Sequence, residues 1–493
     1  MSPMNETRPI RFFHRQRVVE IADAPATRTV LEWLREEQRL VGTKEGCAEG
    51  DCGACTVVIG ELGDDGRLKL ETVNACICFL PTLDGRALFT VEDVAPGGVL
   101  HPVQQALVAH HGSQCGFCTP GFVMSLWAAY ECHQAAGTRP TRQELADELS
   151  GNLCRCTGYR PILEAGLAMF DAPPLRLDTA PVVAALQQMR EAPPLHTASG
   201  FHAPRTVDEL ATLREARPEA RLLGGGTDLG LWVTKQLRVL PELIWTGDVA
   251  ELRRVERRDD ALVIGAAASL EEAWAELTAE HPQLAELWRR FASPPVRHAG
   301  TMGGNVANGS PIGDSAPVLL ALDARLVLRR GDRVRELALA DFYVDYLKNR
   351  LEPGEFVQAI VVPRTAPGTV VRGWKISKRH DSDISAVCAA FALRLDGDRV
   401  QQVRLAYGGM AATVKRAAAA EAALQGRRWD EAALRAAQAA LDADYTPLTD
   451  LRASAAYRMQ VAKNLLERLW LETRPDAPLP AAALDVWQRE VQV

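Results

Sequence analysis

Residues 47–55 read CAEGDCGAC, and a further cysteine, Cys76, follows. The spacing C-x4-C-x2-C with a distant fourth cysteine is typical of plant-type 2Fe–2S ferredoxins, because three thiolates from one short loop must converge on one cluster. The glycines within the stretch let the backbone turn sharply and let its amides point at the sulfur atoms. Cys78 competes with Cys76 as the fourth ligand, and zinc competes with the cluster, although structural zinc usually uses paired CxxC knuckles. The predicted ligands of this first site are Cys47, Cys52, Cys55 and Cys76.

The residues around the first site predict a small β-grasp unit. Ile10–His14 and Val18–Ile21 have the pattern of two short strands, and Val57–Ile59 has that of a strand leaving the cysteine loop. Thr29 and Glu32 form a capping box that predicts the start of an amphipathic helix. Strand, strand, helix, loop and strand together indicate a ferredoxin-like domain.

A second group of cysteines lies in QCGFCTPG (residues 114–121) and NLCRCTGY (residues 152–159). We expect Thr119 to cap a helix with Pro120 as its first residue, and a capping box at Thr141 to begin another helix. From spacing alone, either zinc or an iron–sulfur cluster fits this second site. Its predicted ligands are Cys115, Cys118, Cys154 and Cys156. The residues at helical spacing between the two pairs are predicted to pack in the core; they are Val123, Leu126, Trp127 and Tyr130.

The composition sets the broad class. The chain has 493 residues, a formal net charge of −7 and an odd number of cysteines, 11. The mild negative charge gives no reason to expect nucleic acid or an anionic membrane as the main partner. With no secretory signal and no apolar run long enough to span a bilayer, we expect a soluble, cytoplasmic protein. Clustered thiols in such a protein indicate metal ligands rather than disulfides.

Two glycine-rich loops follow a Pro- and Ala-rich segment, 172–195, which is predicted to be a linker with one short helix. Leu222–Leu229 carries three glycines before Thr and Asp, a pattern that suits a phosphate-binding nest and also a plain tight turn. Ala299–Asp314 carries five glycines together with Asn, Thr, Ser and Asp. Two separated loops of this kind predict a dinucleotide held between subdomains. The last part of the chain is predicted to form strands near 387–395 and 403–407 and a helix near 451–471.

The cysteine stretches closely resemble the molybdenum hydroxylases, the xanthine dehydrogenase and aldehyde oxidase family. The glycine-rich loops and PLTDLRASAAYR (residues 447–458) resemble the flavin region of the same proteins and of carbon monoxide dehydrogenases. The resemblance covers nearly the whole chain and implies a multidomain α+β fold. Its domains would be a β-grasp 2Fe–2S ferredoxin domain (8–94), a helical-bundle 2Fe–2S domain (95–171), an FAD-binding α+β domain of the vanillyl-alcohol-oxidase type (196–375) and a C-terminal α+β flavoprotein domain (376–486).

The resemblance also implies roles for single residues. Phe291 and Lys375 would lie near the flavin, with a core Phe and a solvated Lys as the alternatives. Tyr346 and Arg379 would lie near NAD, and Gln114 near the molybdopterin, although each is a residue type that is often merely exposed. The other residues that the resemblance assigns to FAD are Leu222, Leu223, Gly224, Gly225, Gly226, Thr227, Asp228, Leu229, Thr301, Gly303, Gly304, Asn305, Asp314 and Val357. Cys132 and Cys388 match no ligand position and are predicted to be buried thiols.

The function implied is that of the small, iron–sulfur and FAD subunit of such an enzyme in purine catabolism. Hypoxanthine and xanthine would be hydroxylated at the molybdenum cofactor of a large partner subunit, in a dimer of heterodimers. Electrons would pass through the second site, then the first, to FAD and finally to NAD. Alternatives are the same role with another heterocycle, an aldehyde or carbon monoxide as substrate, a stand-alone NADH-linked reductase, and a zinc-binding interaction module.

Overall fold

The fold begins with a five-stranded sheet in the order β2-β1-β5-β3-β4. The computed structural model describes residues 7–480 and 483. The predicted strands are confirmed, and so is the Thr29–Glu32 capping box, although its α-helix is short and continues as a π-helix, Trp33–Glu37. The elements are β1 (Ile10–His14), β2 (Arg17–Ile21), α1 (Val30–Glu32), β3 (Thr56–Leu62), β4 (Leu68–Asn74) and β5 (Ala87–Phe89).

Five helices follow: four belong to the region of the second cysteine site, and the fifth, α6, packs on β1 and β3. The capping box at Thr141 and the core positions predicted between the cysteine pairs are confirmed. The predicted cap at Thr119 is wrong: Cys118 already has helical dihedral angles, so Thr119 is the first helical residue and its hydroxyl pairs with Ser113 at 2.8 Å. Cys132 is exposed rather than buried, whereas Cys388 is buried. The helices are α2 (Pro102–Ala109), α3 (Thr119–Ala136), α4 (Arg142–Glu148), α5 (Arg160–Ala168) and α6 (Ala180–Arg190).

Segment 172–195 is packed against both cysteine-containing regions. Helix α6 buries Val182, Leu186 and Met189 in the hydrophobic core that the helical bundle shares with the first sheet. The stretch before α6 is held by hydrogen bonds, since the Leu175 amide donates to the hydroxyl of Tyr130 at 3.1 Å. The segment therefore fixes the two cysteine regions relative to each other.

The next region has two sheets, in the orders β6-β7-β9-β8 and β10-β11-β16-β12-β13, with a separate hairpin β14-β15. Alternating strands and helices bring both glycine-rich loops to the same place, the first after β8 and the second around α13. The strands are β6 (Leu195–His196), β7 (Phe201–Ala203), β8 (Arg221–Leu223), β9 (Leu243–Trp245), β10 (Val255–Arg257), β11 (Ala261–Gly265), β12 (Arg325–Arg330), β13 (Arg333–Ala338), β14 (Tyr343–Asp345), β15 (Lys348–Asn349) and β16 (Phe356–Pro363). The helices are α7 (Val207–Ala216), α8 (Leu229–Thr234), α9 (Ala250–Arg253), α10 (Leu270–Glu280), α11 (Ala285–Arg290), α12 (Pro294–Ala299), α13 (Met302–Asn308) and α14 (Ser315–Ala321).

The C-terminal region packs three helices on a four-stranded sheet in the order β17-β18-β19-β20. The predicted strands and the final helix are confirmed, and the helix begins after Ser454, whose side chain caps it. None of the described helices is both long and apolar enough to cross a membrane. The end of the predicted C-terminal domain, 481–486, lies outside the described residues except for 483. The elements are β17 (Val370–Ile376), β18 (Val387–Asp396), β19 (Arg399–Gly408), β20 (Lys415–Arg416), α15 (Ala418–Leu424), α16 (Glu431–Asp444) and α17 (Ala455–Thr473).

Candidate functional site: two cysteine sites and a flavin cavity

The four predicted thiols of the first site converge. Cys47 interacts with the thiols of Cys52 and Cys76, and Cys55 interacts with that of Cys76. Hydrogen bonding among these thiols lowers the pKa of Cys47 and raises the pKa of Cys76. Four thiols this close together can bind one metal group as thiolates.

The surroundings of the first site fit an anionic iron–sulfur cluster. The amides of Cys52 and Glu49 point at the sulfur of Cys47, at 3.4 and 3.5 Å. A Cβ atom at Gly46 would lie 2.9 Å from the sulfur of Cys52, so the loop has no room for a side chain there. The convergent thiols and the inward amides suit an anionic iron–sulfur cluster.

Cys78 lies apart from this group. Its sulfur is 3.5 Å from the hydroxyl of Thr82, and burial raises the pKa of its thiol. It faces a cavity between the first sheet and the FAD region rather than the other thiols. The geometry therefore favours Cys76 as the fourth ligand.

The second site is also assembled, as two pairs of thiols. Cys118 interacts with Cys154, and Cys156 interacts with Cys115. Burial and the interaction with Cys154 raise the pKa of Cys118 to about 12. The hydroxyl and the amide of Thr157 both donate to the sulfur of Cys154, at 3.2 and 3.5 Å. These donors suit an anionic cluster.

The two cysteine sites differ in exposure. Cys115 and Cys156 are exposed, and so is Gln114 beside them. In the first site Cys55 and Cys76 are buried. The second site thus opens to the surface, whereas the first, in which Cys47 and Cys52 are half-buried, is more enclosed and lies between the second site and the glycine-rich loops.

A cavity of about 540 Å³ lies between the two glycine-rich loops. The loops touch closely: a Cβ atom at Gly225 would lie 1.6 Å from the carbonyl oxygen of Ala299, so only glycine fits there. Inside the cavity wall, Oδ1 of Asn305 and Nε of Arg214 are buried without hydrogen-bond partners. Such orphaned polar atoms beside a glycine cradle fit a polar ligand such as a dinucleotide.

Most residues assigned to FAD line this cavity. They are Leu222, Leu223, Gly224, Gly225, Gly226, Thr227, Asp228, Leu229, Phe291, Thr301, Gly303, Gly304, Asn305 and Val357. Sequence reasoning missed Arg214, Arg221 and Trp232, which line it too. The signal for these three was weak, because arginines and a tryptophan outside a recognisable motif are common in any fold.

Asp314 and Lys375 lie behind the cavity wall. Lys375 is buried and pairs with Asp314 at 2.5 Å, and Ser385 bonds to both, at 2.8 and 2.6 Å. Gly313, next to Asp314, lines the cavity. This buried triad supports the wall, and Lys375 is not a solvated charge.

The two residues assigned to NAD take different positions. Tyr346 is 58% exposed at the tip of the β14–β15 hairpin, which is tied to the cavity by a bond from Asn349 to the carbonyl of Ala307. Arg379 belongs to residues 377–384, here termed the flavin-side loop. It forms an ion pair at 2.6 Å with Asp51, within the first cysteine loop. The flavin-side loop is thereby fastened to the first cysteine site.

Sequence reasoning also missed a charged cluster between the first sheet and the FAD region. Glu61 on β3 binds Arg86 at 2.7 Å and Arg253 of α9 at 2.6 Å, beside a cavity of about 100 Å³. Burial alone would raise the pKa of Glu61, but the two arginines lower it to about 2. These bonds join the ferredoxin-like domain to the FAD region.

Four protein-family models match the chain in order. They are a 2Fe-2S iron-sulfur cluster binding domain (13–81), a 2Fe-2S binding domain (90–167), an FAD binding domain in molybdopterin dehydrogenase (196–365) and a CO dehydrogenase flavoprotein C-terminal domain (372–473). The fold and the sites thus define an iron–sulfur flavoprotein with two 2Fe–2S domains and an FAD-binding domain.

Similar proteins and solved structures narrow the class of iron–sulfur flavoprotein. Xanthine dehydrogenase from Drosophila subobscura is 34% identical over 78% of this chain and 33% of its own length; that from Emericella nidulans is 31% identical over 97% and 39%. A solved carbon monoxide dehydrogenase chain from Hydrogenophaga pseudoflava is 31% identical, with a TM-score of 0.52, over 54% of this chain and 94% of its own. The quinoline 2-oxidoreductase from Pseudomonas putida 86, 23% identical with a TM-score of 0.51 over 57% and 98%, shares the fold.

The chain belongs to the molybdenum hydroxylase family, of which it comprises the 2Fe–2S and FAD region. It spans about a third of the length of the curated relatives it matches.

Proposed function

We propose that this chain is the iron–sulfur and flavin part of a xanthine dehydrogenase, which passes electrons from a molybdenum-containing partner to FAD and then to NAD. One observation carries the proposal: continuous contacts join the second cysteine site to the first and the first to the FAD cavity. The Leu153 amide donates to the carbonyl of Cys52 at 3.0 Å. The carbonyl of Ile77, next to Cys76, lies 3.2 Å from where a Cβ atom of Gly226 would be.

The order and exposure of the sites support a direction of transfer. In the proposed direction, electrons enter at the second site, which opens to the surface, pass through the more enclosed first site and end at the FAD cavity. When bound, the clusters would carry single electrons, and FAD would collect two of them together with a proton, the equivalent of a hydride. The direction agrees with a partner that delivers electrons at the surface of the second site.

The chain's own residues bind, orient and enclose these groups. The eight cysteines hold the clusters, and the glycine-rich loops hold FAD with Phe291 against the cavity. Thr234 of α8 donates to the carbonyl of Ala48 at 2.7 Å, and Lys235 donates to that of Cys47 at 3.2 Å. These bonds fix the first cysteine loop to the helix that follows the first glycine-rich loop. Purine hydroxylation needs a general base, which we assign to the partner.

The proposed partner binds the exposed face of the second site. Gln114 is exposed there beside Phe117 (47% exposed) and Tyr159 (39% exposed). We assign Gln114 to the edge of the partner's molybdopterin, and we expect a dimer of heterodimers. Purine as substrate follows from the relatives of 31–34% identity that are named xanthine dehydrogenase.

For the acceptor we propose NAD, with Tyr346 at the mouth of the flavin site. The ion pair between Arg379 and Asp51 gives Arg379 a second role, that of holding the flavin-side loop near the nicotinamide.

The test uses the complex purified through a tag on this chain. Xanthine and NAD are added without oxygen, and urate and NADH are measured. Equal amounts of both, with a co-purifying molybdenum chain, support the proposal. If both clusters and FAD are present but xanthine yields no NADH, the purine assignment fails. A screen of other heterocycles, aldehydes and carbon monoxide then identifies the substrate.

A further inference from the structure

Asn152 lies where the two cysteine sites meet. It precedes Cys154 by two positions and is 3% exposed. Its amide nitrogen donates to the carbonyl of Gly53 at 3.1 Å and to the hydroxyl of Thr56 at 3.2 Å. The hydroxyl of Ser125 donates to its Oδ1 at 2.7 Å. The side chain thus has partners on the first cysteine loop and on α3.

The backbones of the two sites touch at this place. A Cβ atom at Gly53 would lie 2.2 Å from the carbonyl oxygen of Gly151, and one at Gly121 would lie 2.1 Å from that of Gly53. Gly53 also has a φ angle of +68°, which side chains rarely adopt. The backbones are in direct contact here, and the side chain of Asn152 adds hydrogen bonds across the same contact.

One of those bonds joins ligand-bearing segments directly. The Leu153 amide donates to the carbonyl of Cys52, so one backbone hydrogen bond separates a residue beside Cys154 from a predicted ligand of the first cluster. Asn152 is the neighbour of Leu153 and holds the residue that follows Cys52. The two bonds therefore act as a pair across the same contact.

We propose that Asn152 is a positioning residue that holds the two iron–sulfur sites at the spacing needed for electron transfer between them. The proposal rests on the proposed function. In the step itself, one electron leaves the reduced second cluster and enters the oxidised first cluster, and no bond is formed or broken. Asn152 touches neither cluster; it acts through Gly53 and Leu153.

The test compares three variants of the holoprotein. Asn152→Asp keeps the size of the side chain, removes the two hydrogen bonds that its amide donates and adds a charge. Ser125→Ala keeps those two bonds and removes only the hydrogen bond to Oδ1 of Asn152. Asn74→Ala is the matched control, because the amide of Asn74 lies 3.9 Å from the sulfur of Cys55 and does not cross between the sites. The readouts are the magnetic interaction between the two reduced clusters, measured by electron paramagnetic resonance, and hydrogen exchange of the Leu153 amide.

We expect Asn152→Asp to weaken the magnetic interaction, to speed exchange at Leu153 about tenfold and to slow electron transfer between the clusters about tenfold, because positioned transfer depends steeply on geometry. Ser125→Ala should show a smaller effect of the same kind, and it remains informative if Asn152→Asp does not fold. Asn74→Ala should change the first cluster alone.

An unchanged magnetic interaction and unchanged Leu153 exchange in both Asn152→Asp and Ser125→Ala overturn the proposal. If the wild-type protein itself lacks four irons per chain, the number that two 2Fe–2S domains hold, the proposed function fails instead.

Discussion

Replacing Glu61 with Gln is expected to loosen the ferredoxin-like domain from the FAD region. The carboxylate of Glu61 is 17% exposed and joins Arg86, which is on the same domain, to Arg253 on the other. The two arginines lower its pKa from 4.5 to about 2. A depression of that size corresponds to about 3 kcal/mol of stability at neutral pH. Because the side chain of Arg253 is 38% exposed and partly screened, we expect a loss of about 2 kcal/mol.

The pH dependence follows from the sign of this pKa change. A carboxylate whose pKa is lower in the folded protein stabilises the fold above its unfolded value of 4.5, and this contribution is lost as the pH falls toward about 2. The wild-type protein and Glu61→Gln should therefore differ by a constant amount above pH 5 or so and converge in acid.

The assay is urea unfolding followed by tryptophan fluorescence between pH 3 and 7, since Trp245 stacks under Arg86 at 4.5 Å. The control is Glu256→Gln, whose pair with Arg258 is exposed and should contribute less than about 0.5 kcal/mol. Equal urea midpoints for the wild type and Glu61→Gln at pH 7 would refute the reasoning. So would a difference that persists unchanged at pH 3.

Three further predictions concern the sites. Gly225→Ala should weaken FAD binding at least about tenfold, because the added Cβ atom meets a backbone carbonyl and overpacking costs about 1–3 kcal/mol or more. The control is Gly313→Ala, whose Cβ atom would have only ordinary contacts of 3.4 Å or more and should change the affinity much less. Both variants are compared with the wild type by flavin titration. Cys76→Ser should abolish the electron paramagnetic resonance signal of the first cluster, and Cys78→Ser should leave that signal intact. The reverse result would make Cys78 the fourth ligand of the cluster. Asp51→Ala removes the ion pair between Asp51 and Arg379 of the flavin-side loop. Losing an exposed pair worth about 0.5–1 kcal/mol should speed limited proteolysis of the loop about two- to fivefold. An unchanged rate would show that the pair does not hold the loop.

The fold class was predictable because its signals are local. Cysteine spacing, capping boxes and short alternating strands each occupy a few neighbouring residues, and the structure places the predicted strands where they were expected. The errors are local too. Cys118 adopts helical dihedral angles, so the helix starts at Thr119. Cys132 lies in the last part of this helix, where Ala135 and Ala136 are exposed too.

Contacts between domains were not predictable from the sequence. Glu61 and Arg253 are 192 positions apart, and Arg379 and Asp51 are 328 apart. Each of these residues is charged and of a type that is common on solvated surfaces. No local pattern in the sequence therefore distinguishes it. Asn152 was within a recognised motif, but only the folded structure shows that its amide reaches Gly53.

The central claim is that this chain carries two iron–sulfur clusters and one FAD in a single electron-transfer unit. The most direct test is an anaerobic titration of the purified protein with dithionite, followed by absorbance and electron paramagnetic resonance. Two one-electron clusters and one two-electron flavin should take up four electrons per chain, with two distinct cluster signals. Uptake of only two electrons, with zinc and no acid-labile sulfide in the protein, would contradict the assignment of two iron–sulfur clusters.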